Sequence, residues 1–179
     1  MAILEAVAAK FHLPESREII DWEAVYRSEL PKVLNFFRYR VGDAALAEDL
    51  TASTFEKAWA GRERYRNEGK FSAWLMTIAR NVATDYFRTS RSHLLLEAAA
   101  DREAGPTPLS VLETKEEVLR LQYLLGRLPD HHRELIALKY GAELNNREIA
   151  RTTGMSESNV GTTLHRIVRQ LRMDWETKQ

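Results

Sequence analysis

The sequence predicts an all-α protein of two small helical domains joined by a flexible linker. Three observations carry this expectation. Apolar residues recur at three- and four-residue steps along most of the chain, while β-branched residues are scattered and never alternate over a useful length. Near the middle, an alanine run followed by Gly105-Pro106-Thr107-Pro108 stops the helical pattern. The chain has 179 residues, enough for one medium domain or two small ones, and a hydrophobic content of 44% supplies a folded core.

The elements follow in order. Residues 1–21 form an N-terminal extension in which Ile3, Leu4, Val7 and Phe11 suit a short amphipathic helix. Glu5 interrupts its apolar character and no basic region precedes it, so it is not expected to act as a secretory signal. The first domain is expected over 22–93. Val33, Phe36, Phe37 and Tyr39 to Val41 mark one helix; Ala47, Leu50, Phe55, Ala58 and Trp59 mark the next. Phe71, Trp74, Leu75, Ile78, Ala79, Val82, Tyr86 and Phe87 mark a third, and the loop between the last two is polar, Arg-rich and bracketed by Gly61 and Gly69. An acidic linker is expected over 94–113 and a second domain over 114–179. There Leu119, Leu121, Leu124, Leu125 and Leu128 give a core face before Pro129-Asp130, and a helix over Arg133–Tyr140 is closed by Gly141.

The last part of the second domain is the most informative. Ile149 and Ala150 give one short helix a small apolar face, Gly154 supplies the positive φ of a tight turn, and Ser156 is a helix N-cap. Val160, Leu164, Ile167 and Leu171 then bury one stripe of a second helix whose other face carries Thr162, Thr163, His165, Arg166, Arg169 and Arg172. Short hydroxyls for base edges and cations for phosphates suit a helix lying in the major groove. A surface hairpin with solvated charges is the plain alternative.

Charge supports a nucleic-acid partner despite a formal net charge of zero. Leu94 to Glu117 carries a net −4, and Val118 to the end a net +3. An acidic centre thus separates two weakly basic halves. The absence of cysteine excludes disulfide frameworks and thiolate metal sites, and fits a reducing cytoplasm. No apolar run reaches the roughly 20 residues of a membrane helix, so no membrane contact is expected. His131 and His132 are adjacent, which points them about 100° apart on a helix with no accompanying carboxylates, and surface histidines are the simpler reading. No catalytic constellation, metal site or cofactor motif stands out.

Two segments, in order, resemble a known family. Ala47 to Thr51 with Phe55 to Trp59, Phe71 to Asn81 and Asp85 to Arg88 look like domain 2 of bacterial sigma factors, closest to the small extracytoplasmic-function (ECF, group 4) type. Leu128-Pro129, Glu148 to Ala150 and Val160 to Arg166 look like their domain 4, with its helix-turn-helix. The resemblance implies a subunit that binds core RNA polymerase and directs it to promoters, with domain 4 on the −35 element and domain 2 recognising and opening the −10 element. An anti-sigma protein is the further partner it implies. Catalysis is not expected.

Site residues follow from the same resemblance. Glu48, Asp49, Leu50 and Phe55 fall where the family docks on the polymerase, although Phe55 and Trp59 read more simply as core. In the loop where the family holds a flipped −10 base, Tyr65 can stack, Asn67 can read a base edge, and Arg62, Arg64, Arg66 and Lys70 can hold phosphates. On the following helix, Asn81 matches a position that reads the non-template strand, Arg80 and Arg88 suit phosphates, and Asp85 suits a nearby Arg. For the −35 element the resemblance selects Ser158, Asn159, Thr162, Thr163, His165, Arg166 and Arg169, with Lys139 as a backbone contact. Gly161 departs from the cations common at that position. An ordinary helix-turn-helix regulator that dimerises through its N-terminal domain is the alternative function.

Overall fold

The computed structural model describes residues 21–65, 71–96 and 112–177. Seven α-helices and two short irregular turns account for the fold, and there is no strand among the described residues. Helix α1 (Trp22–Val41) starts on the Asp21 carboxylate, which accepts from the backbone N–H groups of Glu23 and Ala24 at 3.1 Å, and ends on Gly42 at φ 73°. It runs through Pro31 and buries Val33, Phe36 and Phe37. Helix α2 (Ala44–Ala60) is capped by Asp43 and buries Ala47, Leu50 and Ala58. Its buried Thr51 and Thr54 donate to carbonyls one turn back, so these hydroxyls enter the core satisfied. After a 3-10 turn at Arg62–Arg64, helix α3 (Phe71–Leu96) adds Leu75, Met76, Ala79, Val82 and Ala83 to the same core.

The second unit begins with α4 (Leu112–Gly126). Arg133 turns back and donates to the Leu125, Gly126 and Leu128 carbonyls, which satisfies acceptors that the end of α4 leaves open. Helix α5 (Asp130–Ile136) does not run on as α-helix to Tyr140 as its periodicity suggests. It widens into a π-helical turn, Ala137–Gly141, with the Ala142 N–H bonded to the Ala137 carbonyl at 2.9 Å. Helix α6 (Asn146–Thr153) opens on a reciprocal capping box between Asn145 and Glu148 and closes on Gly154 at φ 76°. Ser156 then caps α7 (Glu157–Glu176) through the Asn159 N–H.

The two units do not stand apart. One continuous core runs from Phe36 and Ala79 to Leu138 and Ile149. The π turn lies on α1, α5 touches α1, and α6 lies on α3. A Cβ added to Gly141 would come within 2.9 Å of the Asn35 carbonyl group and Phe36 Cα, so only glycine allows this approach. The linker's composition suggests independent domains, but the described residues form a closed body. Most of that linker, like the N-terminal extension up to Ile20, lies outside the described residues.

Candidate nucleic-acid and polymerase interfaces

Helix α7 is anchored on one side and open on the other. Val160, Leu164 and Ile167 are buried, whereas Ser158, Asn159, Thr162, His165, Arg166 and Arg169 are exposed along one surface. Thr163 departs from the expected outward set: it is only 6% exposed, and its hydroxyl donates to Asn159 Oδ1 at 3.2 Å. The cause is its spacing from Val160 and Ile167, which carries it onto the buried stripe. It thus fixes the Asn159 amide from beneath. Thr162 Oγ1 bonds the Ser158 carbonyl at 3.0 Å, leaving its methyl and remaining lone pair outward. Gly161 has a packing reason, because a Cβ there would press within 3.3 Å of Asn146 Nδ2 where α6 crosses α7. Lys139 is half-buried on the π turn.

At the far end of the first unit the aromatic side chains gather. Tyr65 packs against Phe71 and Trp74, with ring centroids 5.2 and 4.9 Å away, and Trp22 meets Trp59 and Phe71 edge-on. The expected stacking partner for a base is therefore already packed, edge-on to one ring and tilted against another, within its own chain. Arg62 lies over the Trp59 ring and donates to the Trp59 carbonyl, while Arg64 is exposed. Arg66, Asn67 and Lys70 lie outside the described residues. On α3, Asn81 and Arg88 are exposed, and Asp85 sits between Arg88 (3.1 Å) and Lys57 (3.6 Å).

Arg80 is placed differently from the phosphate contact expected of it. Its Nε meets Glu134 Oε1 at 2.8 Å and its Nη1 donates to the Thr152 carbonyl at the end of α6. The partners come from the other unit, which sequence periodicity within α3 does not reveal.

Glu48 and Asp49 are exposed on α2, as a docking surface requires. Leu50 is 7% exposed and belongs to the core, because it follows Ala47 by three residues on the buried stripe. Phe55 is half-buried against Tyr26, whose ring lies 4.8 Å away. Trp59, read from its periodicity as core, is 53% exposed, and with Tyr26 at 48% it makes an aromatic surface beside Phe55. Tyr26 and Trp22 carry no sequence signal of their own, since they precede the clear apolar stripe of α1.

The chain matches the family models "Sigma-70 region 2" over residues 25–93 and "Sigma-70, region 4" over residues 119–171. RNA polymerase sigma factor YlaC of Bacillus subtilis is 31% identical over 156 residues, covering 84% of this chain and 89% of YlaC. CarQ of Myxococcus xanthus, also an RNA polymerase sigma factor, is 34% identical, covering 84% of this chain and 87% of CarQ. The ECF sigma factor BldN of Streptomyces coelicolor is 35% identical over 78% of this chain, which spans only about half of BldN (54%). Among solved structures, the sigma factor RpoE in complex with the anti-sigma factor NepR from Bartonella quintana shares the fold with a TM-score of 0.74 at 21% identity, over 90% of this chain and 100% of that one. CnrH in complex with the cytosolic domain of CnrY shares it with a TM-score of 0.64 at 21% identity, over 99% of this chain and 97% of that one. With both sigma regions present in order and relatives matched over most of their length, the chain belongs to the ECF sigma factors, the family that directs RNA polymerase to promoters to initiate transcription.

Proposed function

We propose that this sigma factor reads the −35 element with the outward face of α7 and the −10 element with the first unit, over functional boundaries at 22–93 and 114–179. The observation that carries the reading is the division of α7 into a buried apolar stripe and an exposed stripe of Ser158, Asn159, Thr162, His165, Arg166 and Arg169. Residues at the N-terminal end of such a helix reach base edges, and the later cations reach phosphates. Asn81, Arg88 and Arg64 are the exposed candidates for the −10 strand, joined by Arg66, Asn67 and Lys70 of the adjoining loop. Glu48 and Asp49, flanked by the Tyr26–Phe55–Trp59 surface, form the polymerase-docking face.

The chain acts by binding and not by catalysis, and its place of action is the cytoplasm. Among the described residues no helix is long and apolar enough to cross a membrane. An anti-sigma protein, of the kind NepR is for RpoE, is its further partner.

Specific run-off transcription from purified core polymerase plus this chain tests the reading. Asp49→Lys is expected to weaken co-purification with core while leaving helicity intact. Specific transcripts that persist without the chain, or a chain that binds its duplex site as a dimer with no polymerase requirement, would replace this reading with the ordinary regulator.

A further inference from the structure

At the start of α6 the polar side chains are committed, with one exception. Asn145 and Glu148 close the capping box, and Arg147 reaches Glu157 of α7 at 3.5 Å. The half-buried Asn146 carboxamide joins neither arrangement. Its Oδ1 is buried with no hydrogen-bond partner among the described residues, and its Nδ2 lies 3.3 Å from where a Gly161 Cβ would stand. A buried carbonyl oxygen left without a donor is unfavourable, so this placement calls for an explanation.

The amide lies at the outward face of α7. Gly161 follows Ser158 by three residues and precedes His165 by four, which puts the three on one side of the helix, and Ser158 and His165 are exposed. With only hydrogen at position 161, that side has a gap, and the Asn146 amide of the neighbouring helix borders it. A cation is common there in the family; this chain presents a neutral amide instead. Because Oδ1 is turned inward, the amide offers donors and no acceptor. Reading an adenine edge takes one of each. An amide held in this way suits a partner that only accepts. Phosphate oxygens are such partners, and the first helix of a helix-turn-helix crosses the DNA backbone.

We propose that Asn146 is a further −35 contact, donating its amide to a phosphate oxygen for which Gly161 leaves room. The proposal rests on the promoter reading above and adds to it a phosphate seat made by two helices. An uncharged donor neutralises no phosphate, so its share of the affinity does not fall with salt, in contrast to that of Arg169. Gly161 gains a reason in the complex as well. Glycine is less favourable than alanine within a helix, but here it keeps both the amide's position and the phosphate's approach clear.

The test is binding of holoenzyme, formed with the full chain, to promoter fragments that differ in the −35 element, at several salt concentrations. Asn146→Ala should weaken every fragment about fivefold, the size of one neutral hydrogen bond, with the salt slope unchanged. Asn146→Asp keeps the shape and suits the first turn of a helix, yet it should weaken binding further because it sets a negative charge against the phosphate. Gly161→Ala should raise the thermal midpoint of the free chain and still weaken binding, since its Cβ presses on the amide. Gly161→Arg should recover affinity with a salt slope steeper by nearly one unit, and Asn146→Ala should then cost nothing more. Wild-type binding by both Asn146 variants overturns the proposal. So does a changed ranking of the fragments, which would make Asn146 a reader of bases, or a Gly161→Ala chain that is more stable and binds as wild type does. Arg169→Ala separates this failure from a wider one. If it weakens binding while the Asn146 variants do not, only the phosphate seat is lost; if neither does, the reading of α7 fails as well.

Discussion

Thr163 and Asn159 illustrate how a buried hydroxyl can govern what an exposed amide reads. The Thr163 hydroxyl donates to Asn159 Oδ1 and holds the amide plane, which on the promoter reading proposed above leaves the amide N–H groups for acceptors on base edges. Thr163→Val keeps the shape and removes the hydrogen bond. It should change the ranking of −35 variants at one base pair by about 1 kcal/mol, leaving the salt dependence untouched. Arg169→Ala should do the opposite, weakening every variant alike and lowering the salt slope by nearly one unit. Holoenzyme binding to a −35 panel at several salt concentrations separates the two, and exchanged behaviours would mean that α7 is rotated in the groove. His132 supplies a second residue-scale expectation. Burial, then His131 and Arg166 beside it, hold its imidazole below the ordinary value. The unfolded chain therefore takes up the proton first as pH falls. The stability it contributes is full above about pH 6.5 and is lost as pH drops through the depressed folded value. Denaturation midpoints for wild type and His132→Gln, compared from about pH 7.5 to about pH 5, should converge at the acid end. Parallel curves would remove His132 from the pH response.

At the scale of elements, the turns ahead of α6 and α7 are where local chemistry decides stability. Asn145→Ala removes one half of the capping box and should cost about 1 kcal/mol. Glu143, just upstream, has a φ of 59°, the only positive φ outside glycine among the described residues. Glu143→Gly should therefore stabilise the chain by about 0.5–1 kcal/mol, since glycine has no Cβ to strain there. Chemical denaturation of both variants reads these opposite signs, and a destabilising Glu143→Gly would show that the side chain holds something more than its own backbone. The helix-turn-helix was legible in the sequence because it is written locally: Gly154, Ser156 and the Val160–Leu164–Ile167 stripe each determine their own neighbourhood. Leu50 was legible in the same way, through its three-residue spacing from Ala47, although the resemblance drew it outward; Thr163 has the same spacing from Val160, but its hydroxyl set it on the outward face in the reading of the sequence. Trp59 was not, because the apolar periodicity of α2 continues to Trp59 even though it lies exposed, meeting the Trp22 ring edge-on. The π turn was hidden for a related reason. Ala137 to Gly141 carries helical residues throughout, and only contact with α1 selects the wider winding.

For the whole molecule, the sequence gives two helical units and leaves their contact unwritten, because Arg40, Arg80 and Gly141 each depend on a partner roughly 50 to 100 residues away, a separation that no local pattern encodes. On the promoter reading proposed above, the connection between Leu96 and Leu112 has to let the two units reach both elements at once. Its 15 intervening residues reach about 50 Å when fully extended. The domains' own dimensions supply the rest of the roughly 85 Å between promoter elements. Deleting Ala98 to Pro108 leaves four of those residues, with a reach of only about 15 Å. The shortened chain should still bring polymerase to the −10 element, since that surface and Asp49 belong to one unit. It should fail to protect −35 DNA in a footprint of the holoenzyme, while a flexible Gly/Ser replacement of equal length restores protection. Loss of both footprints would place the linker in polymerase docking, and retention of both would mean that the two units reach their elements without needing its length.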